Sequence, residues 1–254
     1  IKKLLRLLIA GEDRLNTLTI ATPFYNEENG LENYFEILKK IYVLINKKIY
    51  LKFLFIDDGS SDLTKKKLYN FKEQNSHYNI TIHSHKKNLG YGKTLQNSIL
   101  LSNTDYLITY DSDCTYDYKL INELISIIKK YNCDIVNVSY KLSQKEIKIS
   151  YFRSLLSWSS SFIYKLIFSE IKKYNISVMT CSFRIYNLPK IKKINLRSND
   201  FNCCAEILIK SMKKGMKIHE IPGENLGRKF GQSKMKIMKN IYNTIKTIIL
   251  IKMN

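Results

Sequence analysis

Leu51-Lys52-Phe53-Leu54-Phe55-Ile56-Asp57-Asp58-Gly59-Ser60-Ser61-Asp62 is the stretch whose reading decides the fold. Its first half is a short run of apolar aromatic and branched side chains, which predicts a buried strand over residues 51–56. Its second half is a turn of small and acidic residues, so the strand opens onto a polar rim. The pattern recurs on either side: Leu18-Thr19-Ile20-Ala21-Thr22 runs into Pro23-Phe24-Tyr25-Asn26-Glu27, and Leu107-Ile108-Thr109-Tyr110 into Asp111-Ser112-Asp113. Residues 80–83 form a further short strand. Residues 33–44, 62–71, 91–101 and 120–130 carry apolar side chains at helical spacing. Strand and helix therefore alternate with short connections over about 140 residues, the pattern of an α/β domain with a mostly parallel sheet and helices on both faces. Ligands of such sheets bind outside the carboxyl ends of the strands. All three polar clusters fall there.

The rest of the chain is less regular. Residues 135–138, 178–186 and 216–221 are expected as strands, and 150–168 and 205–213 as helices. With no linker composition and no internal repeat, one domain is expected.

Composition narrows the function. With 44% hydrophobic and 25% charged residues the chain is a folded globular protein, and three prolines and nine glycines exclude collagen-like architectures. No aliphatic run approaches the roughly 18 residues of a membrane-spanning helix. Forty-two Lys and Arg against 22 Asp and Glu give +20, which favours polyanionic partners, although a Lys, Asn, Ile and Tyr bias also fits an AT-rich genome. The five cysteines are odd in number and lack C-x-x-C spacing, so reduced thiols are expected. His83 and His85 have no carboxylate or thiol at metal-ligand spacing beside them and are not read as a metal site. The chain opens at Ile1 without the small-residue cleavage site of a signal peptide.

Asp111-Ser112-Asp113 carries the sharpest chemistry. Two carboxylates one residue apart at a strand end can hold a hard divalent cation, Mg²⁺ or Mn²⁺, and leave positions open for phosphate oxygens. Asp57-Asp58-Gly59-Ser60 is a good turn in its own right, and one of its carboxylates can also meet a nucleobase or ribose. Asn88-Leu89-Gly90-Tyr91-Gly92-Lys93 completes neither a P-loop nor a dinucleotide fingerprint.

Taken in order, Thr22 to Glu28, Ile56 to Asp62, Asn88 to Gly92 and Asp111 to Asp113 resemble the motifs of family 2 GT-A glycosyltransferases. Thr180-Cys181-Ser182-Phe183-Arg184-Ile185-Tyr186, Ala205-Glu206-Ile207-Leu208 and Arg228 with Gly231-Gln232-Ser233-Lys234-Met235 resemble the dolichol-phosphate mannose synthase-like branch, which includes polyprenyl-phosphate glycosyltransferases. The resemblance implies a GT-A (nucleotide-diphospho-sugar transferase) fold over residues 17–233. It implies a nucleotide-sugar site of Pro23, Tyr25, Glu27, Asp58, Gly90, Lys93, Asp111 and Lys234, with Asp111 and Asp113 holding Mg²⁺ or Mn²⁺. Asp113 and Arg228 would act in catalysis, and Arg153, Ser182 and Arg184 at the acceptor. Glu206 or Asp200 would serve as general base for a hydroxyl acceptor, the other reading of Glu206 being a structural carboxylate. Two departures stand out. Thr115 replaces a side chain that often adds a metal ligand, and Tyr140 replaces an arginine.

The implied reaction is an inverting transfer from a GDP- or UDP-linked sugar to a polyprenyl- or dolichyl-phosphate-type lipid. The alternative acceptor is a glycan or lipid hydroxyl. Residues 1–16 and 234–254 mix lysines with aliphatics, as a peripheral helix on an anionic, cytoplasmic membrane face would, or as an amphipathic helix packed on the domain would. A sugar-phosphate nucleotidylyltransferase would want a Gly-rich basic loop after the first strand, where Pro23-Phe24-Tyr25-Asn26 stands. A nucleic-acid-binding module leaves the acidic rim unexplained, and no nucleic-acid partner is expected.

Overall fold

The computed structural model describes residues 17–46, 49–143, 151–228 and 237–253. Its strands are β1 (Thr17–Phe24), β2 (Tyr50–Asp57), β3 (Ile80–Ser84), β4 (Tyr106–Thr109), β5 (Ile135–Ser139), β6 (Arg184–Asn187) and β7 (Ile218–Pro222). Its helices are α1 (Leu31–Ile45), α2 (Thr64–Gln74), α3 (Tyr91–Leu101), α4 (Leu120–Lys130), α5 (Tyr151–Ile167), the short α6 (Leu188–Ile191), α7 (Cys203–Lys213) and α8 (Ile237–Lys252). The order across the sheet is β3-β2-β1-β4-β6-β5-β7. Every pairing is parallel except those of β6, which runs antiparallel to both β4 and β5.

The layers follow from period-two alternation in the strands. Leu51, Phe53 and Phe55 face the layer of α1, α2 and α4, while Leu54 and Ile56 face that of α3, α7 and α8. α4 shows why the helices dock as they do. Ile121, Leu124, Ile125 and Ile128 recur at helical spacing and are buried, and Lys129 and Lys130 sit in the last turn, where cations complement the carboxyl end. Because β2 and β4 flank β1, the chain reverses direction across the sheet at β1, and the crevice above β1 and β4 is the natural ligand position.

The strand expected over 178–186 is confined to Arg184–Asn187. The preceding backbone finds its partners elsewhere: the amides of Ser177 and Val178 donate to the Glu220 carboxylate, and that of Met179 donates to Ser161 Oγ. With those groups satisfied, no ladder is required of them.

One rung of the sheet is polar and buried. Asn137 on β5 pairs in register with Arg184 on β6 and with Glu220 on β7. Arg184, 0% exposed, donates through Nε to Asn137 Oδ1 (2.6 Å), through Nη1 to the Cys204 carbonyl (2.6 Å) and through Nη2 to the Met179 carbonyl (2.8 Å). Asn137 Nδ2 in turn donates to Glu220 Oε1 at 2.7 Å. A buried guanidinium and a carboxylate are thus joined through one amide.

Candidate active site at the carboxyl rim of the sheet

The rim is built by loops that hold one another. After β1, Asn26 takes a left-handed conformation (φ 52°), its amide donates to Ser60 Oγ, and its own Oδ1 accepts from the Ser61 amide at 2.8 Å. The Glu27 amide donates to Thr64 Oγ1 and the Glu28 amide to Asp62. The serines and acids after β2 therefore clamp the loop after β1 and leave Pro23, Tyr25 and Glu27 half-buried along the rim. Gly59 (φ 70°) is needed here, because a Cβ would lie 2.4 Å from the Lys87 carbonyl carbon.

After β4 the chain turns sharply. Cys114 is left-handed (φ 51°), and its amide donates back to the Asp111 carbonyl. Asp111 accepts from the hydroxyls of Tyr91 (3.3 Å) and Ser182, while Asp113 Oδ1 accepts from the Thr115 amide at 3.2 Å. Burial first, and Asp113 beside it second, push the Asp111 carboxyl up to about 7. Burial, then the Asp111 charge, push the Tyr91 hydroxyl well above its ordinary value, so it remains a donor.

Arg228 arrives from the opposite end of the chain. Leu226 donates its amide to the Thr115 carbonyl (2.7 Å), Asn225 bridges to Tyr116, and Gly227 (φ 74°) turns the chain inward. The guanidinium then places Nε (3.0 Å) and Nη2 (2.7 Å) on Asp113 Oδ2, with Nη1 3.8 Å from Glu27 Oε1. Asp111, Asp113, Glu27 and Arg228 thus come together at one place on the rim.

This donor set suits a hard cation. Two neighbouring carboxylates supply oxygen ligands only, and a divalent ion would offset the cost of holding them ionised, buried and side by side. No group of three or more His, Cys, Asp or Glu able to hold a metal occurs among the described residues, so further ligands would come from bound phosphate and water. Thr115 serves Asp113 through its backbone amide.

Several expected site residues take other positions. Arg184, expected at the acceptor, is locked in the sheet by Asn137 and two carbonyls. Glu206, expected as a base, is 0% exposed, accepts from the amides of Arg197 and Ser198, and pairs with Lys210 at 2.7 Å. These contacts are those of a structural carboxylate. Asp200 accepts from both the amide and Nδ2 of Asn202 at the start of α7. Asp58 is 3% exposed and accepts from His85 Nδ1 (2.6 Å) and from the amides of Leu89 and Gly90 (2.9 Å each), so it meets the rim through that turn. Ser182 supports Asp111 from behind. Lys93 reaches Gln96 within its own helix, at 3.5 Å. Tyr140 is buried. Arg153 lies in the first turn of α5, but its side chain, Lys234 and residues 1–16 lie outside the described residues.

Tyr91 was not among the expected site residues. Its place between two glycines at a helix start was the available signal, since that turn aims one side chain across the rim.

The family model for glycosyl transferase family 2 matches residues 19–194. Among curated proteins, a dolichyl-phosphate beta-glucosyltransferase of Trichomonas vaginalis is 24% identical over 232 residues, covering 87% of this chain and 68% of its own. A protein of the same name from Dictyostelium discoideum is 26% identical over 217 residues, covering 80% and 64%. The chain thus spans about two thirds of the length of these relatives. Among solved structures, glucosyl-3-phosphoglycerate synthase from Mycobacterium tuberculosis in complex with Mn²⁺, UDP and glucosyl-3-phosphoglycerate superposes with a TM-score of 0.64 at 12% identity, covering 93% of this chain and 78% of that one. The same enzyme with Mg²⁺ and UDP gives 0.67 at 13%, covering 93% and 79%. The fold is shared.

Proposed function

The chain belongs to glycosyl transferase family 2, and from that premise we propose that it moves a sugar from a nucleotide-diphosphate donor to a polyprenyl- or dolichyl-phosphate-type lipid, with inversion at the anomeric carbon. One observation carries the reading: a guanidinium from beyond β7 rests on the second carboxylate of an acidic pair at the sheet's switch point. A diphosphate bound there would lie within reach of the arginine and of the two acids. Asp111 and Asp113 would hold Mg²⁺ or Mn²⁺, which when bound supplies Lewis-acid stabilisation of the leaving diphosphate. Solved neighbours carrying Mn²⁺ or Mg²⁺ with UDP support this assignment.

The acceptor follows from proton bookkeeping. A sugar or lipid hydroxyl needs a base as it attacks. Glu206 is buried on backbone amides and Asp200 is tied to Asn202, so neither expected base is disposed for that work. A phosphate monoester needs none, because its second pKa is about 6 and its attacking oxygen is already ionised near neutral pH. The names of the two curated relatives point to the same acceptor class. Incubating the protein with Mn²⁺, UDP- or GDP-hexoses and a polyprenyl phosphate tests the reading. Transfer to the lipid phosphate is the expected result; transfer only to hydroxyl acceptors, or to none, overturns it.

The raised Asp111 carboxyl sets a pH dependence. A cation binds the ionised form, so its affinity is full above about 7 and falls as protons reoccupy Asp111 below it. For one competing proton, the Mn²⁺ dissociation constant should rise about tenfold between about pH 8 and pH 6. Calorimetric titration with Mn²⁺ checks this, and a constant independent of pH contradicts it.

The membrane side of the proposal rests on α5 and α8. No helix among the described residues is long and apolar enough to cross a membrane. α8 is apolar on two sides: Ile248 and Ile251 pack in the core, while Tyr242, Ile245 and Ile249 are exposed, as is Met253 just beyond it, with Lys246 and Lys252 exposed alongside. Phe162, Ile163 and Leu166 of α5 are exposed as well. Tyr164 of α5 and Thr244 of α8 both donate to Asn202 Oδ1, so the two helices flank one point at the start of α7. Such a surface suits an anionic interface, where each lysine adds roughly 1 kcal/mol. Five cysteines without a disulfide support the cytoplasmic face. Because the inward side of α8 belongs to the core, point changes test this better than truncation. Ile245→Glu with Ile249→Glu should release the protein from anionic liposomes with the melting temperature unchanged. Unaltered sedimentation with the liposomes contradicts the assignment.

A further inference from the structure

Behind the rim lies a second cluster of titratable side chains, Asp58, His83 and His85, joined by Asn97. His85 is 8% exposed and its Nδ1 lies 2.6 Å from Asp58 Oδ1. An ionised carboxylate only accepts, so the proton of this contact sits on Nδ1. Asn97 Nδ2, which can only donate, faces Nε2 at 2.7 Å and so makes Nε2 the acceptor, the same amide facing His83 Nε2 at 3.4 Å. The other lone pairs of Asp58 take the amides of Leu89 (through Oδ1) and Gly90 (through Oδ2), at 2.9 Å each.

The turn so held has little room. Gly90 is at φ 94°, and a Cβ there would lie 2.3 Å from the Asn199 carbonyl oxygen, which also accepts from the Gly92 amide at 2.9 Å. The turn is clamped between Asp58 on one side and Asn199 on the other. The residue between the two glycines, Tyr91, packs its ring tilted against Phe201 (4.8 Å between ring centroids) and places its hydroxyl on Asp111. A line of contacts therefore runs from His85 through Asp58 and the Leu89–Gly90 turn to the acidic pair.

We propose that His85 is a positioning residue for the nucleotide edge of the site: by donating from Nδ1 to Asp58 it fixes the Leu89–Gly90 turn and, with it, the Tyr91 hydroxyl that faces Asp111. The proposal rests on the reading above that this rim takes a nucleoside diphosphate. A buried carboxylate deprived of one donor reorients towards other donors or water, and the amides it held lose their fixed acceptor. The function of His85 is thus electrostatic and geometric, carried out without touching the substrate.

Two substitutions separate this role from mere packing. His85→Asn puts an amide nitrogen near the position of Nδ1 and keeps the donation to Asp58. His85→Gln puts one near the position of Nε2 and removes that donation. Both delete the ring. Binding of UDP and of GDP is measured by calorimetry with Mn²⁺ present, and amide exchange at Leu89 and Gly90 without nucleotide. For the nucleotide that the wild type binds more tightly, His85→Gln should weaken binding about tenfold and speed both amides, as expected for the loss of one charged hydrogen bond. His85→Asn should stay within about twofold of wild type in both. Equal losses in the two variants, or no loss in either, overturn the proposal. If the wild type binds neither nucleotide, the functional reading falls, while amide exchange still decides whether His85 holds the turn. Nitrogen NMR of the wild-type protein requires no variant to fold: an Nδ1–H tautomer is expected, and an Nε2–H tautomer overturns the assignment.

Discussion

Asp113→Ala is expected to reduce sugar transfer about a thousandfold while the protein stays folded. Asp113 holds the cationic centre of the rim in two ways: as half of the acidic pair, and as acceptor of two hydrogen bonds from Arg228. Without it the guanidinium loses those two hydrogen bonds, and Asp111 alone is a poor ligand set for a hard ion. The Asp113–Arg228 pair is partly solvent-exposed, so its loss costs roughly 0–1 kcal/mol of stability. Initial rates at saturating donor, set beside a thermal melt, separate the two effects. Arg228→Lys should recover only part of the wild-type rate, since an ammonium cannot reproduce two nitrogens on one carboxylate oxygen. Wild-type rates for Asp113→Ala, or full wild-type activity in EDTA, contradict the metal-and-diphosphate assignment.

Asn137→Leu is expected to cost about 3–5 kcal/mol of folding stability and to lower the melting temperature by on the order of 10 °C. The change removes the acceptor of Arg184 Nε and the shorter of two hydrogen bonds to Glu220 Oε1, the other coming from the Val178 amide. A guanidinium with 0% exposure would then lose its only link to the carboxylate of that rung. The Val178 carbonyl, which also accepts from Asn137, would lose that donor too. Adding Arg184→Met to Asn137→Leu should recover part of the loss, because the buried charge goes with its partner. Chemical denaturation of the two variants measures both steps. A single variant within about 1 kcal/mol of wild type would show that the rung is not a keystone of the sheet.

The alternation of strand and helix, and the acidic rim, were legible in the sequence because both are local. A run such as Phe53-Leu54-Phe55-Ile56 carries its strand period within four residues, and α3 and α4 begin and end where the pattern places them. Asp111 and Asp113 were legible for the same reason: one residue apart at a strand exit, they share a rim whatever the rest of the chain does. The antiparallel entry of β6 was not, since it depends on where residues 177–179 satisfy their amides. Nor was the fate of the charged residues in the second half. Arg184 reads as an acceptor contact and Glu206 as a base or a structural carboxylate, but Arg184 finds its partners on β5, α7 and a loop, and Glu206 takes the amides of the loop before its own helix. Arg184 meets Asn137 across 47 positions, and Asn137 meets Glu220 across 83. His85 and Asp58 form their contact across 27 positions, and Arg228 reaches Asp113 across 115. Sequence by itself therefore determined which residues can form strands, helices and an acidic rim, because those properties depend on near neighbours. Tertiary structure alone decided which charges face ligand and which are buried as fasteners, because a side chain's desolvation and hydrogen-bond partners are set by strand register and loop packing between distant segments.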